Sequence, residues 1–130
     1  MLEAPDENLS FPHRAITERI IGAAFEVYNH LGYGYLERVY QRLMQVELLR
    51  QKVSAELERR LNVRYKEVVV GDYDADLIVE NNVLVELKIA SQYNKRDEAQ
   101  LLNALKASGL KLGLLINFGR AKVEFKRFIL

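Results

Sequence analysis

The stretch Ala75–Lys88 constrains this chain more than any other. Ala75-Asp76-Leu77-Ile78-Val79 and Val83-Leu84-Val85-Glu86-Leu87-Lys88 are rich in β-branched and aliphatic residues, so both read as strands. Glu80-Asn81-Asn82 lies between them as a turn, because Asn tolerates the left-handed conformation. With a three-residue loop over 80–82, Val79 faces Val83, Leu77 faces Val85 and Ala75 faces Leu87, which makes one face wholly apolar. The other face then sets Asp76 against Glu86, Ile78 against Leu84 and Asp74 against Lys88. Like charges directly opposite each other are destabilising. A chain that places two carboxylates there is expected to hold a cation with them. A two-residue Asn81-Asn82 turn is the alternative. It pairs Asp76 with Leu87 and sends Asp76 and Glu86 to opposite faces. The three-residue loop is preferred because it sorts the apolar residues cleanly.

The rest of the composition narrows the chemistry. A chain of 130 residues, 49% hydrophobic, suits one domain with a real core. With no cysteine, it has no disulfide framework, zinc-thiolate site or cysteine nucleophile. No apolar run approaches the roughly 20 residues that span a bilayer. The start, Met1-Leu2-Glu3-Ala4-Pro5-Asp6-Glu7-Asn8, is polar and acidic, unlike a signal peptide, so a cytoplasmic location is expected.

Net charge is only +1, which gives no overall signature for nucleic acid, but the charge is unevenly spread. Asp72 to Glu86 holds five acidic residues and no Lys or Arg. Beyond Leu101 come Lys106, Lys111, Arg120, Lys122, Lys126 and Arg127 against Glu124 alone. That asymmetry suits a metal site beside a phosphate-binding surface, or else an ordinary solvated surface.

Residues 1–14 read as a flexible lead to a single domain over 15–130. A first helix is expected from about Ala15 to His30, where Ile16, Ile20, Ala24, Tyr28 and Leu31 recur at helical spacing. Gly32-Tyr33-Gly34 breaks it, and a second helix follows over about 36–52. Residues 57–65 alternate as a strand, and Gly71-Asp72 is a turn signal. A third helix is expected over about 95–107, ended by Ser108-Gly109, then a buried strand at 112–118 and a last strand from Val123. The order ααβββαββ implies an α/β fold with a central mixed sheet flanked by helices.

Magnesium prefers oxygen ligands and usually keeps several waters, so two carboxylates from adjacent strands would leave positions open for substrate. Lys88 lies two residues past Glu86 and points into the same space, where it could orient or deprotonate an attacking water, or stabilise developing charge. An ion pair with Asp74 is the competing role for Lys88. Glu37 sits at the edge of the apolar stripe of the second helix, where a half-buried carboxylate is uncommon without a partner. The competing reading is an exposed first-turn glutamate favoured by the helix dipole. Gln100, on the third helix, would by itself be a surface residue. His13 and His30 are isolated, and Gly32-Tyr33-Gly34 lacks the context of a dinucleotide loop. Tyr33, Tyr35 and Tyr93 lie near loops, where they could stack on bases.

Taken together, Glu on an early helix, Asp on one strand, Glu-x-Lys on the next and Gln on the following helix resemble the PD-(D/E)XK nuclease superfamily. One branch, the GxxExxY family, is more similar still. Its name motif stands here as Gly34-Tyr35-Leu36-Glu37-Arg38-Val39-Tyr40, and Ile20–Tyr28, Ala75–Val79, Val85–Lys88, Ala99–Asn103 and Gly113–Phe118 look like its other pieces. The resemblance covers roughly residues 15–130. It implies a restriction-endonuclease-like core and metal-dependent hydrolysis of phosphodiester bonds. Asp76 and Glu86 would be the metal ligands, with the backbone carbonyl of Leu87 a third. Lys88 would be the catalytic lysine, Glu37 would complete or adjust the metal site, and Gln100 would orient a water or contact substrate. The implied cofactor is Mg²⁺ or Mn²⁺. The implied partner is nucleic acid, DNA ahead of RNA, with no membrane role and with a homodimer as one way for a small nuclease to gain contact area. Ala75 stands where the superfamily has a proline before the aspartate. The competing functions are a non-catalytic nucleic-acid-binding or assembly module on the same fold, and a structural domain whose carboxylates are surface charge.

Overall fold

The structure, a computed structural model, describes residues 11–130. Residues 1–10, and with them most of the expected lead, lie outside the described residues. The chain folds as helix α1 (Phe11–Leu31), helix α2 (Glu37–Arg50), strands β1 (Ala55–Tyr65), β2 (Val68–Val79) and β3 (Val83–Lys88), helix α3 (Arg96–Ser108), and strands β4 (Leu112–Phe118) and β5 (Val123–Ile129). The expected ααβββαββ order is the observed one. No described helix is long and apolar enough to cross a membrane.

The five strands form one sheet in the order β1-β2-β3-β4-β5. Only β3 and β4 run parallel, joined through α3; the other neighbours are antiparallel. This is a mixed sheet with helices on both faces, consistent with a restriction-endonuclease-like α/β fold. Against one face, α1 and α2 bury Ile20, Ala24, Tyr40, Met44 and Leu48 onto Leu77, Val85, Leu87, Leu114 and Ile116. Against the other, α3 buries Leu101, Ala104 and Leu105 onto Ala75, Ile78, Leu84 and Leu115. Each fully buried aliphatic side chain removes about 1.5–3 kcal/mol worth of apolar surface from water. Gly113 lets α3 approach β4 closely, since a Cβ there would meet Leu105 Cδ1 at 3.0 Å and Leu101 Cδ1 at 3.2 Å.

The β2–β3 hairpin has the three-residue loop, with Leu77 opposite Val85, Ile78 opposite Leu84 and Val79 opposite Val83. Glu80 and Asn81 take positive φ of 54° and 56°, and the Asn82 amide closes the turn on the Val79 carbonyl at 3.0 Å. The ladder stops at Leu77, however, so neither the expected Asp76–Glu86 rung nor the Ala75–Leu87 pair forms.

Two expectations fail along β1 and β2. Gly71-Asp72 is not a turn, because β2 runs through it. The hairpin turns instead at Lys66 and Glu67, both at positive φ (47° and 71°), as a two-residue turn of the primed kind requires. Gly71 pairs with Val63 beside a bulge, where the register shifts between Val63 and Arg64. The facing of the side chains also inverts midway. Leu57, Leu77 and Val79 pack with α1 and α2, whereas Leu61, Tyr73 and Ala75 pack on the α3 side. The inversion falls where Glu58 adopts φ 50° and the rung between Glu58 and Asp76 is missing from the register. One left-handed residue rotates the strand, and strict alternation no longer carries across it.

Candidate functional site

Asp76 stands where β2 leaves β3 and where β2 changes face. Its Oδ2 accepts the Leu87 amide at 2.8 Å, and its Oδ1 accepts the Gln41 amide nitrogen at 3.1 Å. The Asp76 amide in turn donates to Glu86 Oε1 at 3.4 Å. The two carboxylates therefore meet across the gap between the diverging strands, held partly by backbone.

Glu86 is only 5% exposed. Burial, then the charge of Asp76, raises its carboxyl to about 7, against a weaker pull downward from Tyr73, the Asp76 amide and Lys88. Burial likewise raises Asp76 to about 6; the Leu87 amide and Lys88 oppose the rise, and Glu37 and Glu58 add to it. Two carboxyls that burial and neighbouring negative charge hold this far up gain most from a nearby cation.

Glu37 is the first residue of α2, where a negative charge is favoured by the helix dipole. It is half-buried, and burial raises its carboxyl, Lys88 lowers it and Asp97 raises it. Both roles expected for Glu37, first-turn acid and site-facing carboxylate, thus describe one residue. The motif residue Tyr40 explains how Glu37 is aimed. Tyr40 is fully buried, stacks on Phe118 with ring centroids 4.2 Å apart, and donates from its hydroxyl to the Gly32 carbonyl. One turn of α2 is thereby fixed against β4 and the α1–α2 loop.

Lys88 does not pair with Asp74. Its Nζ donates to Gln100 Oε1 at 3.1 Å. Asp74 and Asp72 are taken by Arg60 across β1 and β2, at 3.0 and 3.3 Å. The acidic run is thus divided. Asp72 and Asp74 serve the hairpin, Glu80 Oε2 accepts the Ser54 amide at 2.7 Å, and Asp76 and Glu86 are left to converge.

Glu37, Asp76, Glu86, Lys88 and Gln100 are brought to one region, and Leu87 joins them through its amide. Sequence reasoning missed three more. Gln41, 5% exposed, braces Asp76 through both carboxylate and carbonyl. Its signal was its place one helical turn after Glu37. Tyr73 places a buried hydroxyl beside Glu86; no partner meets full hydrogen-bond geometry, yet burial and the Glu86 charge drive the phenol strongly upward. Glu58 acts on Asp76 only because β1 rotates there, and nothing local in the sequence announced it.

Among the described residues, no three His, Cys, Asp or Glu side chains form a metal cage. The fit to a metal is therefore the fit of a carboxylate pair, the donor set expected for a hard cation that keeps its waters and binds a phosphate alongside.

Residues 14–128 match the family described as the PD-(D/E)XK nuclease superfamily. No curated protein matches the chain. Among solved structures, the crystal structure of SSO0001 is similar in fold, with a TM-score of 0.53 and 17% identity, covering 70% of this chain and 48% of that one. This chain thus spans about half the length of that neighbour.

Proposed function

This chain belongs to the PD-(D/E)XK nuclease superfamily, and from that we propose that it is an active, metal-dependent nuclease of the GxxExxY branch, its domain running over 15–130. The observation that carries the reading is the convergence of Asp76 and Glu86 at the β2–β3 divergence, with Lys88 on the same strand as Glu86. Asp76 and Glu86 would hold Mg²⁺ or Mn²⁺, with the Leu87 carbonyl as a third oxygen. When bound, such an ion supplies positive charge that polarises a phosphodiester and eases ionisation of water.

The chain's own residues do the rest. The Leu87 amide and Gln41 fix the Asp76 carboxylate, so that it does not have to reorganise when a ligand arrives. Gln100 holds the Lys88 ammonium by one of its protons, leaving the others for a phosphate oxygen or, after deprotonation, for an attacking water. Glu37 opposes the Lys88 charge and adjusts the field at Asp76. Nucleic acid is the substrate class that this reading assigns.

The test is a titration of Mg²⁺ and Mn²⁺ into wild type and Asp76→Ala, followed by incubation of each with single- and double-stranded DNA and RNA. Metal binding and cleavage, both lost in Asp76→Ala, are the expected result. Metal binding without cleavage of any substrate would favour a binding module on the same fold. Identical behaviour of the two proteins would refute the metal site.

A further inference from the structure

Past the C-terminal end of β3, beyond Lys88, lies a cavity of about 550 Å³, lined by the loop Ser91–Tyr93, by Arg120 and Lys122 at the β4–β5 connection and by Glu124 on β5. Its size falls in the range of about 300–1,000 Å³ usual for small-ligand sites.

Its walls are fixed from several sides. The Gly119 amide donates to the Lys122 carbonyl at 3.1 Å, closing the turn. The Tyr28 hydroxyl, from α1, reaches the Gly119 carbonyl at 2.7 Å and the Arg120 carbonyl at 3.0 Å. Asn117, 1% exposed, binds both the amide and the carbonyl of Ala90 at 2.9 Å, which pins the opposite loop. A Cβ at Gly119 would meet the Lys122 carbonyl at 3.0 Å and the Ser91 carbonyl at 3.3 Å, so the two walls approach only because that side chain is missing.

The cavity carries two cations against one acid. Lys126 pairs with Glu98 and Arg127 donates to Thr17, so part of the basic tail is structural. Among the described residues, neither Arg120 nor Lys122 has an ion-pair partner. Glu124 is the one acid in the lining, and its Oε1 accepts the Tyr93 amide at 3.1 Å. The Arg120 guanidinium lies over the Tyr33 ring at 5.9 Å, and Tyr33 remains 41% exposed.

Sequence position ties this cavity to the carboxylates. Ser91 follows Lys88 by one short step of chain, and Tyr33 precedes Glu37 in the loop that leads into α2.

We propose that the cavity and Tyr33 bind the nucleotide next to the scissile bond, with Arg120 and Lys122 taking its phosphate and Tyr33 stacking on its base. Stacking needs a base whose face is free, so the preferred substrate is single-stranded or carries an unpaired segment. This rests on the nuclease reading but is measured by binding rather than cleavage.

The experiment is fluorescence anisotropy of labelled single-stranded and blunt duplex DNA in EDTA, over a range of salt. Wild type binds the single strand more tightly. Exchange of both cations (Arg120→Gln with Lys122→Gln) lowers the slope of log Kd against log salt by about 0.7, the value for one phosphate no longer neutralised. Lys122→Gln alone, at an exposed side chain, gives a smaller drop, since Arg120 still holds the same phosphate. Tyr33→Leu weakens single-strand binding by roughly five- to 150-fold and leaves duplex binding unchanged. An unaltered salt slope in the charge variants, or an equal loss on both DNAs in Tyr33→Leu, overturns the proposal. Wild type that binds with this pattern but never cleaves would sink the nuclease reading and keep the nucleotide site. Cleavage with unaltered binding in the variants would do the reverse.

Discussion

The Leu87 amide donates to the Asp76 carboxylate at 2.8 Å, beyond the last paired rung of β2 and β3. A strand amide freed by the divergence thus becomes a fixed donor to a site carboxylate. Gln41 provides the second donor, from a different layer of the fold.

Gln41→Leu should therefore loosen Asp76 without emptying the core, since the two side chains are similar in volume. Outer contacts of this kind typically change metal affinity by about 10–100-fold. Calorimetric titration with Mn²⁺ should show a drop in that range. An unchanged affinity would mean that the Leu87 amide alone fixes the carboxylate.

Stability should fall as pH rises. Asp76 and Glu86 stand at about 6 and about 7 in the fold, above their ordinary 3.8 and 4.5. The unfolded chain therefore loses these protons first. The stability they contribute is fully present below about pH 4 and is lost as pH rises through 6 to 7. One pKa unit corresponds to about 1.4 kcal/mol, so each carboxyl accounts for roughly 3 kcal/mol at most. Thermal unfolding in EDTA between pH 5 and 8 measures this, and Glu86→Gln should flatten the profile. Added Mg²⁺ should restore stability mainly above pH 7, where both groups are ionised.

Lys88→Ala should reduce cleavage by a factor of about 100 or more, on the order of a lost general acid–base or charge-stabilising group. Metal affinity should largely survive, because no metal ligand is removed. Loss of metal binding together with cleavage would make Lys88 a structural partner of the carboxylates instead.

Asn117→Ala removes both bonds to Ala90, leaving the amide and carbonyl of that loop without partners. Ala90 is exposed, so water can replace Asn117 there, and the cost is about 1 kcal/mol per net hydrogen bond lost. Urea unfolding should report a loss of this size. If the Ala90 loop also sets the cavity, single-strand binding should weaken in the same variant under conditions where it remains folded.

The hairpin at the centre of the site was legible because its cause is local. Val79, Leu77, Val83 and Val85 have to share an apolar face, and only a three-residue loop lets them. That register ends one residue short of Asp76 and Glu86 and so leaves both where the strands diverge, and helical spacing likewise put Glu37 at the edge of α2. The other decisions are made between distant parts of the chain. Asp74 binds Arg60 rather than Lys88 because β2 follows β1 after leaving β3. Ala75 faces α3 rather than Leu87 because β1 and β2 rotate together at Glu58 and Asp76. Alternation along one strand cannot foresee this, since the rotation belongs to the pair. Gln41, Tyr73 and Gln100 acquire their roles only when α2, β2 and α3 close on the carboxylates. The residue pattern determined which groups could do chemistry and which strands would carry them. The tertiary structure decided their partners, because burial and repulsion act on whatever the packing brings together.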